Sequence, residues 1–144
     1  MFRSFLAAGG SPANFIIRVA VGGVFFLEGI KKFLFAEEWG SGRFARIGIP
    51  VPGLMGPVVG IVETVCGILL LLGVFTRLAS LPLLIDISVA IATTKIPIFV
   101  KSGFWPMEAE ARTDFSMLMG LIFLCIAGAG PVSVDWLIAP RPRT

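Results

Sequence analysis

Four long apolar stretches dominate this sequence, and three of them contain a carboxylate well inside the stretch. Glu28, Glu63 and Asp86 lie in segments whose other residues are mostly lipid-soluble. A charge at bilayer depth costs several kcal/mol unless it faces protein, water or an opposite charge. The fold must therefore give each carboxylate a polar partner, and each is a candidate functional group.

The chain is too apolar for a water-soluble domain of its size. Hydrophobic residues make up 56% of the 144 residues and charged residues only 15%, whereas globular domains contain roughly 25% charged residues. We therefore expect a membrane protein whose outer surface contacts lipid. The net charge of +3, without a basic run that also contains aromatic residues, gives no reason to expect nucleic acid as a partner.

The lengths of the apolar stretches match membrane-spanning helices, which need about 20 mostly apolar residues. The four candidate helices cover residues 15–35, 54–75, 77–100 and 113–129. Only a few residues separate the second from the third, so these two form an antiparallel hairpin. The sequence predicts an all-α, multi-pass protein. We expect a single domain over residues 1–144, folded as a four-helix up-down-up-down transmembrane bundle with both termini on the cytoplasmic side.

The charged residues inside the candidate helices converge on one half of the bilayer. A rise of about 1.5 Å per residue places Glu28 and Glu63 roughly 10–13 Å below the face opposite the termini, and Asp86 near the midplane. This arrangement predicts one polar pocket beneath the loop of residues 36–53. The candidate residues for a ligand or proton site are Glu28, Lys32, Glu63, Asp86, Lys95, Arg112 and Asp114.

A stripe of small residues surrounds one of these carboxylates. Gly56, Gly60, Glu63 and Gly67 follow each other at spacings of four, three and four residues, so they share one helix face. Small residues at such spacings let two helices approach closely in lipid. The stripe fits a contact inside the bundle and equally a contact between copies in a homo-oligomer.

The carboxylates also have a purely structural interpretation. Ion pairs with Lys31, Lys32, Arg18 or Arg112 would tie the helices together without any chemistry. Protonation would also remove the cost of burial. A cluster of this kind could instead carry protons, or bind a cationic or hydroxyl-bearing ligand. The residue pattern leaves these interpretations open.

The residue types that usually hold metals and redox groups are scarce. The chain has no histidine and only two cysteines, Cys66 and Cys125, without a C-x-x-C motif. We therefore expect no metal site and no covalently bound cofactor. The cysteines are expected to act as small apolar residues, with a redox pair as the alternative. Trp39, Trp105 and Trp136 are expected at the membrane interface, with an aromatic wall for a quinone ring as the alternative.

Four short motifs resemble the DoxX family. They are F-L-E-G-I-K-K-F-L-F at residues 26–35, G-I-V-E-T-V-C-G at 60–67, G-V-F-T-R-L-A at 73–79 and G-A-G-P-V-S-V-D at 128–135. Their order and spacing extend the resemblance over nearly the whole chain. The positions matched to the family pattern are Glu28, Lys31, Lys32, Glu63 and Arg77.

The resemblance implies a four-helix protein of the bacterial inner membrane. The family is named for a subunit of thiosulfate:quinone oxidoreductase, and other members are linked to membrane redox and oxidative-stress systems. We therefore expect a quinone-linked or redox-associated membrane subunit, with quinone as its cofactor and a redox protein as its partner. The alternatives are a non-catalytic assembly or scaffold protein and a small proton-coupled transporter.

Overall fold

The computed structural model describes residues 11–138, and 84% of them are helical, with no strand among them. This confirms the all-helical class. The predicted location of the two termini concerns residues 1–10 and 139–144, which lie outside the described residues. The helices are α1 (Asn14–Leu34), α2 (Ala36–Trp39), α3 (Ser41–Arg46), α4 (Pro52–Leu72), α5 (Thr76–Ala90), a π-helical turn (Ile91–Lys95), α6 (Ile96–Ser102), α7 (Phe104–Ala127) and α8 (Val134–Ile138).

Each of the four predicted spans overlaps a long helix, but α4 ends at Leu72 rather than at residue 75 and α7 ends at Ala127 rather than at residue 129. Within the described residues, α4 and the continuous helical stretch Thr76–Ser102 are long and apolar enough to cross a membrane. α1 and α7 have comparable lengths of 21 and 24 residues, and charged side chains make up a larger share of them. Within residues 11–138, two helical stretches therefore have the length and composition of a span, and they pack beside two long helices of mixed composition.

Two segments that the sequence analysis treated as loops contain helix. α7 begins at Phe104 rather than near residue 113, so Trp105 and Pro106 lie in its first turn. Gly103 precedes the helix with a φ of 86°, which turns the chain into the new direction. Pro106 fits there because the first turn of a helix leaves its N–H groups without helical partners. The loop predicted for residues 36–53 contains α2 and α3.

The long helices meet around one apolar core. α1 packs against α4 and α7, and α5 packs against α4 and α7. The outer surface exposes many large apolar side chains, among them Leu27, Ile85 and Ile126. A surface of this kind suits a lipid environment. The most deeply buried apolar residues of the core are Val21, Phe25, Leu70, Leu83, Leu121 and Leu124.

Two glycines of the α4 stripe, Gly60 and Gly67, lie in the contact between α4 and α1, whereas Gly56 packs against Gly40 and Ser41. A Cβ atom added at Gly67 would lie 2.7 Å from the backbone nitrogen of Phe26, and one added at Gly60 would lie 2.8 Å from the Phe33 ring. Gly29 of α1 is equally close to the α4 backbone. The stripe therefore serves the packing within one chain, which was one of its two predicted uses.

A methyl group at this contact should destabilise the fold. We expect Gly67→Ala to lower the free energy of unfolding by about 1–3 kcal/mol, because the added carbon meets backbone that cannot move aside. Gly23→Ala is the matched control, since nothing lies within 4 Å of a Cβ at that position. Thermal unfolding in detergent micelles measures both, and equal melting temperatures for the two variants would contradict the close contact.

Candidate functional site

A cavity of about 680 Å³ lies between the long helices, beneath α2 and α3. Cavities of roughly 300–1,000 Å³ are typical of small-molecule sites. Much of the wall is apolar, with Phe25, Val59 and Met117 among the lining residues. Five carboxyl groups and four basic groups interrupt this wall. They belong to Glu28, Lys31, Lys32, Arg43, Glu63, Asp86, Lys95, Glu110 and Asp114.

The deepest ion pair in the cavity joins α1 to α4. Lys32 Nζ donates a hydrogen bond to Glu63 Oε2 at 2.5 Å. The side chains are 10% and 5% exposed, so little water competes with the pair. Burial of both charges is tolerated because each neutralises the other at hydrogen-bond distance. The glycine stripe brings the two helix backbones close enough for this contact.

Glu63 also faces Asp86 of α5. Their carboxyl groups are close enough to share a hydrogen bond. Such a bond needs one proton, since an ionised carboxylate only accepts hydrogen bonds. Among the described residues, no cation lies within 4.0 Å of the Asp86 carboxylate to form an ion pair with it. The two side chains therefore form a carboxyl pair beside Lys32.

A second buried ion pair joins the π-helical turn to α7. Lys95 Nζ lies 3.2 Å from Asp114 Oδ2, and the side chains are 9% and 23% exposed. In a regular α-helix, nine residues rotate a side chain by roughly 180°. Lys95 would then point away from Asp86. The wider i→i+5 turn at Ile91–Lys95 reduces this rotation and brings Lys95 to the cavity.

The mouth of the cavity is lined by an aromatic ring between two cations. Lys31 Nζ lies 4.1 Å from the centre of the Trp39 ring, and Arg43 Cζ lies 5.4 Å from it. Both distances are within the range of cation–π attraction. Lys31 also donates a hydrogen bond to Glu28 at 2.6 Å. Trp39 therefore lines the cavity.

The structure places six of the seven predicted site residues in the cavity wall. Arg112 lies outside it, and its side chain is exposed and donates from Nε to the carbonyl oxygen of Ala109 at 3.1 Å. The reason is helical geometry. Arg112 and Asp114 are two residues apart, so their side chains are separated by about 200° around the axis of α7 and point in nearly opposite directions. Glu28, which shares a helix face with Lys32, pairs instead with Lys31.

The charged lining residues that were not among the predicted candidates are Lys31, Arg43 and Glu110, and the Trp39 ring lines the cavity beside them. Glu110 falls in a segment predicted as loop, but the early start of α7 puts it one turn before Asp114 on the same face. Trp39 and Arg43 come from α2 and α3, which the sequence analysis treated as one loop. The spacing of Glu110 and Asp114 by four residues is the signal that could have found Glu110.

The described residues contain no group of three or more histidine, cysteine, aspartate or glutamate side chains suited to hold a metal ion. Cys66 and Cys125 are both free thiols. Cys66 packs in the apolar core, and the Sγ atom of Cys125 lies 4.0 Å from the Arg77 carbonyl oxygen. Neither cysteine is among the residues that line the cavity.

A separate polar cluster joins the segment around α8 to the start of α5. The Asp135 carboxylate accepts hydrogen bonds from the backbone N–H groups of Phe75 and Thr76, at 2.7 and 2.9 Å. The Asp135 N–H donates to the Gly73 carbonyl oxygen at 2.9 Å. Asp135 is 4% exposed. It belongs to α8 but caps the N-terminus of α5. The G-A-G-P-V-S-V-D motif at residues 128–135 therefore contains the residue that caps α5.

Arg18 of α1 completes this cluster. Arg18 is 1% exposed as a residue, donates from Nη2 to the Val132 carbonyl oxygen at 2.7 Å, and interacts electrostatically with Asp135. Gly73 lies directly against the guanidinium and has a φ of 69°, so two independent constraints require glycine there. Arg77 donates from Nη2 to the Ile126 carbonyl oxygen at 2.9 Å and so contacts the end of α7.

The DoxX family model matches residues 13–96, which include α1, α4, α5 and the π-helical turn. This chain belongs to the DoxX family. The match covers the helices that supply Lys32, Glu63 and Asp86 to the cavity. Arg77, at the start of α5, also lies within the matched residues.

Curated DoxX-like relatives extend the similarity beyond the family match. An uncharacterised membrane protein of Mycobacterium tuberculosis is 47% identical over 142 residues, covering 94% of this chain and 87% of the relative. A Bacillus subtilis protein named "Putative oxidoreductase CatD" is 28% identical over 83% of this chain and 82% of its own length. An uncharacterised Haemophilus influenzae protein is 31% identical over 83% of this chain and 85% of its own length. No solved structure matches the chain significantly. The chain is thus a membrane protein of the DoxX family.

Proposed function

We propose that this DoxX protein is a quinone-linked, redox-associated subunit of the bacterial inner membrane. In this proposal the four long helices form an up-down-up-down transmembrane bundle, and the cavity receives a quinone ring. The observation that carries the proposal is the carboxyl pair of Glu63 and Asp86 at the wall of a ligand-sized cavity. The name of the relative CatD, which is 28% identical, agrees with a redox role.

The cavity has the groups that such a ligand requires. A bound quinone would accept two electrons and two protons. Lys32 and Lys95 carry N–H donors suited to carbonyl oxygens, and the apolar wall suits the ring. The proton shared by Glu63 and Asp86 is available for transfer, since a positioned carboxyl group can act as a general acid. The electrons would come from a redox protein bound at the membrane surface.

A scaffold function without chemistry is the second candidate, and the two deep ion pairs favour it. Lys32–Glu63 joins α1 to α4, and Lys95–Asp114 joins the π-helical turn to α7, so both pairs hold helices together. A scaffold function leaves Asp86 unexplained, however. Within residues 11–138 its carboxylate takes part in no ion pair and faces a second carboxyl group, an arrangement that adds no stability of its own.

A quinone-binding experiment separates the two candidates. We expect a short-chain benzoquinone analogue to quench the fluorescence of Trp39 in the purified protein, because this ring lines the cavity. Asp86→Asn should weaken binding about tenfold or more, since a hydrogen bond to a charged group contributes about 1.5–3 kcal/mol.

Two further variants serve as controls for this measurement. Glu108→Gln also removes one carboxylate charge, but from a residue of α7 that does not line the cavity. It should leave the affinity for the quinone analogue unchanged. Trp39→Phe should remove most of the quenching, which identifies the reporting ring among the three tryptophans. Saturable quenching that is equal in the wild type and Asp86→Asn, or no quenching at all, would refute the quinone site and leave the scaffold function.

A further inference from the structure

We propose that a series of carboxyl groups, Glu63, Asp86, Asp114 and Glu110, forms a proton path from the depth of the cavity to the protein surface along α7. The inference rests on the proposed function for its purpose, which is to replace the protons that the cavity gives to a ligand. Its geometry and its test require no ligand. All four residues line the same cavity.

The path begins at the buried carboxyl pair. Glu63 has a side chain 5% exposed and shares a hydrogen bond with Asp86. Asp86 in turn interacts electrostatically with Asp114, whose side chain is 23% exposed. Glu110 is exposed and lies four residues before Asp114, hence on the same face of α7. Exposure to solvent therefore increases from the first carboxyl group to the last.

A proton can pass along this series without any change of electrons. It enters from water at the Glu110 carboxylate, passes to the Asp114 carboxylate and then to the Asp86 carboxylate, and each group returns to its carboxylate form when it passes the proton on. Lys95 Nζ lies 3.2 Å from Asp114 Oδ2 and holds this carboxyl group at the cavity wall. The cavity is large enough to hold water molecules, and its charged side chains offer them hydrogen-bond partners between the carboxyl groups.

The charged residues at the mouth of the cavity form a different environment. Glu28 is engaged by Lys31 at 2.6 Å, and Arg43 stacks on Trp39 beside them. Glu63, Lys32 and Asp114 act electrostatically on Asp86. The path along α7 is therefore favoured over a path past Glu28 at the mouth of the cavity.

Infrared spectroscopy of the purified protein without quinone tests the path. The wild type should show the C=O band of a protonated carboxyl group, and Glu63→Gln should remove or shift it. On transfer into D₂O this band should shift as the proton exchanges. We expect Asp114→Asn to slow the exchange about tenfold or more, because positioned carboxyl groups accelerate proton transfer by roughly 10²–10⁴. Glu110→Gln should slow it less, since water reaches that position directly.

Matched variants decide between the path and its alternatives. Glu28→Gln tests a path through the mouth of the cavity, and Glu108→Gln tests a carboxylate of α7 outside the cavity. In both variants the buried carboxyl proton should exchange at the wild-type rate. The double variant Lys95→Met/Asp114→Asn removes both charges of the ion pair and should show the same slow exchange, even if the single variant is unstable. Wild-type exchange in both Asp114 variants, slow exchange in Glu28→Gln, or no protonated carboxyl band would overturn the path. Quinone binding in the fluorescence experiment would stand in any of these cases.

Discussion

Lys32→Met should lower the free energy of unfolding by about 3 kcal/mol, because it leaves the Glu63 carboxylate buried without its cation. The side chains of the pair are only 10% and 5% exposed, so solvent cannot replace the lost partner. The neighbouring carboxyl group of Asp86 adds to the cost, since it brings a second acid to the same position. Chemical or thermal unfolding in detergent micelles measures the change.

Two further variants show whether the buried charge is the cause. Lys31→Met removes the adjacent cation, whose pair with Glu28 is 29% and 41% exposed, and should cost less than about 1 kcal/mol. Lys32→Met/Glu63→Gln removes both charges and keeps an amide that can hydrogen bond with Asp86. It should regain most of the lost stability, because the loss comes from an unpaired charge. A double variant as unstable as Lys32→Met would indicate that packing, and not charge, causes the loss.

The helices and the contact between α1 and α4 could be predicted because their signals are local. Apolar length determines where a helix can cross lipid, and α1 lies within one residue of its predicted range at both ends. The spacing of Gly60 and Gly67 marks a face on which another helix can approach closely. The sequence does not show which helix does so, and the structure identifies α1.

The candidate site was predictable in composition but not in pairing. Glu63, Asp86 and Asp114 are visible in the sequence as charges within apolar segments, and all three line the cavity. The partner of Lys32 could not be predicted, because an i,i+4 contact with Glu28 and a contact with α4 are both compatible with the sequence. The position of Lys95 depends on a π-helical turn, and the pattern of apolar residues gives no sign of it.

Asp135→Asn should be the other strongly destabilising change, again by about 3 kcal/mol. The carboxylate accepts from two backbone N–H groups at the start of α5, and an asparagine amide has only one oxygen to offer them. A buried donor left without a partner costs about 1–3 kcal/mol. The variant also removes the negative charge near the guanidinium of Arg18, a residue that is 1% exposed. Thermal unfolding in detergent micelles gives the size of the loss.

A double variant separates these two causes of the Asp135→Asn loss. Arg18→Met/Asp135→Asn removes the buried cation as well, so it should regain the part of the loss that comes from charge and keep the part that comes from the helix cap. Glu38→Gln, an exposed carboxylate in α2, is the control for a simple change of net charge and should unfold like the wild type. If the double variant is as stable as the wild type, the cap contributes nothing and Asp135 acts through Arg18 alone. If it is no more stable than Asp135→Asn, the closing motif of the chain stabilises the fold through its hydrogen bonds to Phe75 and Thr76.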